Sequence, residues 1–238
     1  MTKKDFYSEK FAKNFYHSHR LEKVISVLKN YHFNRLLDVG CGDGSFSVLL
    51  KSFTNEVYGV DISEKAVESA NEKITKACVV TVDEEALPFE DNFFDAVFCG
   101  EVIEHLYDPD YLLAEIHRVL KPDGLCIITT PNLASWHNRL ILLLGFQPYL
   151  TEVSLKYNVG KFKAKLNDIS GHIRPFTYKS LKELLKLHDF DFKKAFGVSI
   201  AESLPLPANL LEKLLSKKAS LALFMVIVVK AKKVGLQK

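Results

Sequence analysis

Leu36-Leu37-Asp38-Val39-Gly40-Cys41-Gly42-Asp43-Gly44-Ser45 sets a short apolar run directly before three alternating glycines. A run this brief that ends in glycines predicts a buried strand. The following Ser45-Phe46-Ser47-Val48-Leu49-Leu50 is helix-like. A strand that turns tightly into a helix leaves backbone N–H groups unpaired at the turn, and glycines there remove the Cβ atoms that would hold a ligand away. An ordinary turn needs one glycine, so three in alternation point to a cradle.

Two cofactor classes compete for such a cradle. A dinucleotide fingerprint wants G-x-G-x-x-G or A, and from Gly40 and Gly42 its third position is Ser45, with Gly44 one residue early. The spacing here is Asp38-x-Gly40-x-Gly42-x-Gly44. A carboxylate at the strand end repels a pyrophosphate but suits a ligand that carries an ammonium and a sulfonium. At these residues the chain resembles the class I S-adenosylmethionine-dependent methyltransferases, whose first motif has this form.

The chain as a whole fits one α/β domain. Its 238 residues suffice for a full core, and 47% hydrophobic with 26% charged residues is ordinary for a globular protein. Thirty-two Lys and Arg against 29 Asp and Glu leave a net charge of +3, which does not call for nucleic acid as a partner. Cys41, Cys78, Cys99 and Cys126 form no C-x-x-C pair, the usage expected of reduced thiols in a cytoplasmic protein. The start of the chain lacks the apolar core of a signal peptide. The longest apolar run, 219–229, falls short of the ~18 residues of a membrane span.

Downstream, the strand–helix alternation continues. Apolar spacing from Phe6 to Leu28 predicts an N-terminal helical arm over 1–30, which the resemblance would use to cover cofactor and substrate. Strand 56–61 ends in Asp61, about twenty residues past the loop, where an adjacent parallel strand delivers a carboxylate to ribose hydroxyls. Ser63 caps the next helix. A strand over 77–82 meets Asp83, so Asp38, Asp61 and Asp83 would stand at the tips of three strands along one crevice. Strand 93–100, a helix over 109–120, a turn at Lys121-Pro122-Asp123-Gly124 and strand 125–130 follow. These elements predict a doubly wound sheet.

The pattern breaks between 133 and 175. Leu140-Ile141-Leu142-Leu143-Leu144-Gly145-Phe146 is too apolar to lie bare, and a helix there is expected to pack over the site as part of an inserted lid. A homodimer surface is the alternative reading. Beyond it come a helix from Thr177, strand 191–199, a short helix over 209–215 and a closing strand over 219–229. The resemblance implies a Rossmann-like, seven-stranded sheet of order 3-2-1-4-5-7-6 with the last strand antiparallel.

Asp83-Glu84-Glu85-Ala86-Leu87-Pro88-Phe89 resembles the D-A-x-x-L-P-F segment of one methyltransferase group, whose Asp accepts from the adenine amino group. With Glu84 in the place of the small residue, the backbone contact to the ring is kept. The resemblance thereby assigns cofactor contact to Asp38, Gly40, Cys41, Gly42, Gly44, Asp61, Ile62, Asp83, Glu84 and Glu101.

Methyl transfer from a sulfonium is an in-line displacement that needs an aligned and, for a hydroxyl, deprotonated acceptor. Glu101, Glu104 and His105 fall at i, i+3 and i+4, so one helical turn would aim all three alike. That makes His105, with Glu101, the catalytic candidate. Glu101-Val102-Ile103-Glu104-His105 also resembles the E-x-x-E-H element of ubiquinone-pathway O-methyltransferases and small-RNA 2′-O-methyltransferases. The resemblance implies a divalent metal on Glu101, Glu104, His105 and, from Gly171-His172-Ile173-Arg174-Pro175-Phe176-Thr177, His172. The expected activity is S-adenosylmethionine-dependent methylation of an oxygen on a small or lipid-like acceptor. Rival readings are an RNA 2′-O-methyltransferase, a non-catalytic S-adenosylmethionine-binding regulator and, more distantly, an NAD-dependent dehydrogenase.

Overall fold

A computed structural model describes residues 19–162, 169–200 and 206–233. Its centre is β1 (Phe33–Val39), which pairs in parallel with β2 (Thr54–Asp61) on one side and β4 (Phe94–Gly100) on the other. β3 (Lys76–Val79), β5 (Leu120–Pro131), β6 (Phe190–Val198) and β7 (Phe224–Ala231) complete a seven-stranded sheet of order β3-β2-β1-β4-β5-β7-β6. β7 runs antiparallel to both neighbours. Order and direction are as expected.

Strand alternation splits the core in two. Leu37, Val39, Val97 and Cys99 face one side, where α4 (Pro109–Val119) and α6 (Tyr178–Leu187) bring Leu112, Ile116, Leu181 and Leu185. Leu36, Val57, Ala96 and Phe98 face the other side. There α1 (His19–Leu28), α2 (Ser47–Leu50) and α3 (Glu64–Asn71) bury Val24, Leu50 and Val67. Caps fix the helix starts: Ser63 accepts from the Ala66 N–H, Asp108 from Tyr111, and Thr177 forms a reciprocal box with Ser180. From β1 the chain winds to β2 on one side and returns to β4 on the other. The crevice at the carboxyl ends of β1 and β4 is therefore the switch point where such sheets bind ligands.

Several expectations need correction. β3 stops at Val79, so Asp83 stands past the strand in a turn. Residues 121–124 are not a free turn: they lie inside β5 at a register shift against β4, with Asp123 in the left-handed region at φ 63°. β7 begins only at Phe224, leaving 219–223 outside the strand. The apolar segment after β5 forms α5 (Trp136–Leu143), but Leu140, Leu142, Leu143 and Leu144 are exposed rather than packed down. α7 (Ala208–Leu215) follows β6. Of the N-terminal arm, α1 is seen, and the part before residue 19 lies outside the described residues.

Candidate functional site

A cavity of about 430 Å³ opens at the switch point, lined by Asp38, the Gly40–Asp43 loop, Asp61, Ile62, Asp83, Glu101 and His105 among others. The glycines shape it differently. Gly40 is left-handed (φ 76°), and a Cβ there would collide with Val102 Cγ2. Gly42 (φ 52°) has open space where its Cβ would be and faces the cavity. Gly44 (φ 77°) instead backs onto α3, its Cβ position 3.0 Å from Ala70 Cα, and does not line the cavity. Its role is to let loop and helix close up.

Two carboxylates hold the cradle. Asp61, the last residue of β2, accepts from Gly42 N–H at 2.9 Å and from Ser63 N–H at 2.9 Å, pinning the loop to the start of α3. Asp38 is buried on β1 and accepts from Ser47 Oγ at 2.6 Å. Burial raises the Asp38 pKa to about 7, with Ser47 opposing and the nearby Asp61 charge adding to the rise. Burial likewise raises Asp61. A cation seated against this pair would relieve both. Asp83 is buried, lines the cavity and accepts from Tyr107 N–H at 2.8 Å. Glu84, of which a backbone contact was expected, is exposed and stands outside the lining.

The E-x-x-E-H segment is not one helical turn. Glu101 is left-handed (φ 57°), and only Ile103–His105 form a 3₁₀ turn. The three side chains therefore part company. Glu101 meets Arg20 of α1 in an ion pair and accepts from Thr129 Oγ1 at 3.0 Å. Glu104 is buried and accepts from Thr130 Oγ1 on one oxygen, while its other oxygen, Oε1, has no hydrogen-bond partner among the described residues. His105 donates from Nδ1 to the Gly171 carbonyl at 3.1 Å, and His172 from Nδ1 to the Leu150 carbonyl at 2.8 Å. A carbonyl only accepts, so each ring carries its neutral-form lone pair on Nε2.

Glu104, His105 and His172 offer one ligand atom each within 4.8 Å of one another. His172 Nε2 is 3.9 Å from the unpartnered Glu104 Oε1, and the two imidazole rings are 4.7 Å apart. Burial pushes the Glu104 carboxyl well up, with the Glu101 charge adding to it, and burial pulls His172 down. Of the four residues expected together, three converge and Glu101 stands outside, turned to Arg20 and Thr129.

Arg20, Thr129, Thr130 and the carbonyls of Leu150 and Gly171 complete the surroundings and were not among the expected residues. The threonines left a signal: Thr129-Thr130 at the polar end of an otherwise apolar strand. Arg20, one cation among many on an amphipathic helix, left none.

Residues 37–128 match the family described as a methyltransferase domain. Demethylmenaquinone methyltransferase from Staphylococcus aureus is 41% identical over 116 residues, 45% of this chain and 46% of that protein. The chain thus spans about half the length of the curated relatives it matches. Among solved structures, an S-adenosylmethionine-dependent methyltransferase from Mesorhizobium loti superposes with TM-score 0.63 at 16% identity, covering 90% of this chain and 98% of that one. A protein from Pyrococcus horikoshii gives TM-score 0.62 at 23% identity over 96% and 99% of the two chains. At that identity the likeness is one of fold. Residues 37–128 are thus similar to a methyltransferase domain, and the fold around them is that of the S-adenosylmethionine-dependent methyltransferase from Mesorhizobium loti.

Proposed function

We propose that this chain moves a methyl group from S-adenosylmethionine to an oxygen of a small, apolar acceptor. The observation that carries the reading is the pairing of a bare glycine face with buried acids around one cavity. Asp38 meets a cationic ligand with a carboxylate that has no cation of its own among the described contacts, and Asp61 has its second role at ribose hydroxyls. Ile62, Val82 and Leu106 line the wall near Asp83, an apolar slot for a purine with one acceptor at its edge.

When bound, S-adenosylmethionine supplies a methyl group on a cationic sulfur, which becomes a neutral thioether on transfer. The chain's part is to align the acceptor and take its proton. His105 lines the cavity with its Nδ1 fixed by Gly171, so Nε2 is the nitrogen that accepts. Glu101, anchored by Arg20 and Thr129, is held off that proton path and shapes the wall.

Acids on the cavity wall (Asp38, Asp43, Asp61, Asp83 and Glu101) outnumber Arg20 and Lys65, which disfavours a polyphosphate backbone and supports an uncharged acceptor. The quinone in the staphylococcal relative's name is of that kind.

A second reading is favoured by the orphaned Glu104 Oε1: a divalent metal on Glu104, His105 and His172. Two nitrogens and one oxygen fit zinc or manganese better than magnesium. Such an ion supplies charge that lowers the pKa of an acceptor hydroxyl, and His105 is then its ligand rather than the base. Turnover of a quinol or catechol panel, with and without chelator, tests both. The metal-free reading expects no change on chelation. Failure of every hydroxylated acceptor, with S-adenosylhomocysteine still bound, would remove the oxygen assignment.

A further inference from the structure

The cavity accounts for the acids of the sheet's carboxyl edge but not for the leucines beside it. α5 leaves β5 at that edge, and α7 joins the end of β6 to the start of β7 at the same edge, where Val198 and Pro131 both pair with Phe224. The two helices are tied together. Trp136 Nε1 donates to Glu212 Oε2 at 2.7 Å, His137 Nε2 stands 3.3 Å from the same oxygen, and Glu212 is fully buried.

That lock turns apolar side chains outward on both. Leu143 is 83% exposed, with Leu140 and Leu144 beside it, and Leu210 and Leu214 are exposed one turn apart on α7. Leu155, 91% exposed, lies on the loop that returns past α5 through the Gln147 N–H to Gly160 carbonyl bond. Cations surround the leucines: Arg139, Lys213, Lys217 and Lys218 are all exposed. Between 134 and 148 and between 206 and 222 the sole carboxylate is the buried Glu212.

An apolar ridge flanked by cations and, among the described residues of these two helices, free of exposed acids is complementary to an anionic, apolar-cored surface. A two-fold contact between copies would set lysine against lysine. We infer that the α5–α7 face docks peripherally on an anionic lipid bilayer, with the leucines in the headgroup boundary and the lysines on the phosphates. No described helix is long and apolar enough to cross a membrane, so the contact is one of surface seating. The inference stands independently of methyl transfer. It also sets the crevice mouth at the edge of the sheet that meets the lipid.

The test is flotation of the full chain with vesicles of phosphatidylcholine alone or mixed with phosphatidylglycerol. Binding to the mixed vesicles alone is expected, and Leu143→Glu with Leu214→Glu should weaken it at least about tenfold. Lys213→Glu with Lys217→Glu, at exposed positions that do not threaten folding, should weaken it about as much. Melting temperature and S-adenosylhomocysteine binding should stay unchanged in both variants. Four results would overturn the inference: no binding to the mixed vesicles, equal binding to both kinds, variants that float like the parent, or a leucine variant that turns a sedimenting dimer into a monomer.

Discussion

Gly42→Ala and Gly44→Ala look like the same substitution two residues apart, yet the structure separates them. Both glycines are left-handed, so both variants carry a similar backbone cost, on the order of 1–2 kcal/mol. They differ in what the new methyl meets. At Gly42 it enters the open cavity, while at Gly44 it presses on the Ala70 backbone at 3.0 Å. Backbone cannot rotate away as a side chain can, so overpacking adds roughly 1–3 kcal/mol at Gly44 alone. For a chain of this size that is a gap of roughly 2–12 °C in melting temperature, with Gly44→Ala the lower. Ligand binding should rank the other way. Gly42→Ala puts a methyl where a ligand's carboxylate or sugar must approach the loop, so S-adenosylhomocysteine affinity drops sharply while the fold survives. Scanning fluorimetry beside titration calorimetry reads both quantities. A Gly42→Ala protein that melts as low as Gly44→Ala, or that binds S-adenosylhomocysteine like the parent, would refute the division of labour.

Other outcomes follow from the same geometry. Because Asp38 keeps its proton up to about pH 7 when folded, against the ordinary carboxylate range when unfolded, its contribution to stability is lost as pH rises between those values. Asp38→Asn should therefore stabilise the ligand-free protein at pH 8. The ammonium of S-adenosylhomocysteine needs the ionised carboxylate, so affinity should fall about tenfold from pH 8 to pH 6 in the parent and stay flat in Asp38→Asn, by calorimetry at both pH values. If the Glu104, His105 and His172 cluster binds a metal, manganese at a hundred times its dissociation constant should raise the melting temperature by roughly 5–10 °C, and His172→Ala should abolish that rise. Glu212→Ala strips the acceptor from Trp136 Nε1 and from the Ile200 N–H, leaving two half-buried donors unpaired. A loss of roughly 2–5 kcal/mol in urea unfolding is expected.

The parts legible in the sequence are those set by local pattern. Apolar strands ending in acids, glycine spacing and caps such as Ser63 and Thr177 place the sheet, the crevice and Asp61 without further help. What escaped depends on the third dimension. Gly44 reads like its neighbours, but α3 behind it decides that it serves packing. Glu101, Glu104 and His105 look like one helical face until the left-handed Glu101 breaks the period. Residues 121–124 have turn chemistry, yet the edge of β4 draws them into β5 around a bulge. The leucines of 140–144 read as buried because hydrophobicity predicts that a side chain avoids water, not what will cover it.

The central claim, that the acids and the bare loop grip an adenosyl methyl donor, is tested most directly by calorimetric titration of S-adenosylhomocysteine into the full chain beside Asp61→Ala. One molecule bound per chain, with binding largely lost in the variant and no heat from NAD, is the predicted result. No heat from S-adenosylhomocysteine, or equal binding by Asp61→Ala, would contradict it.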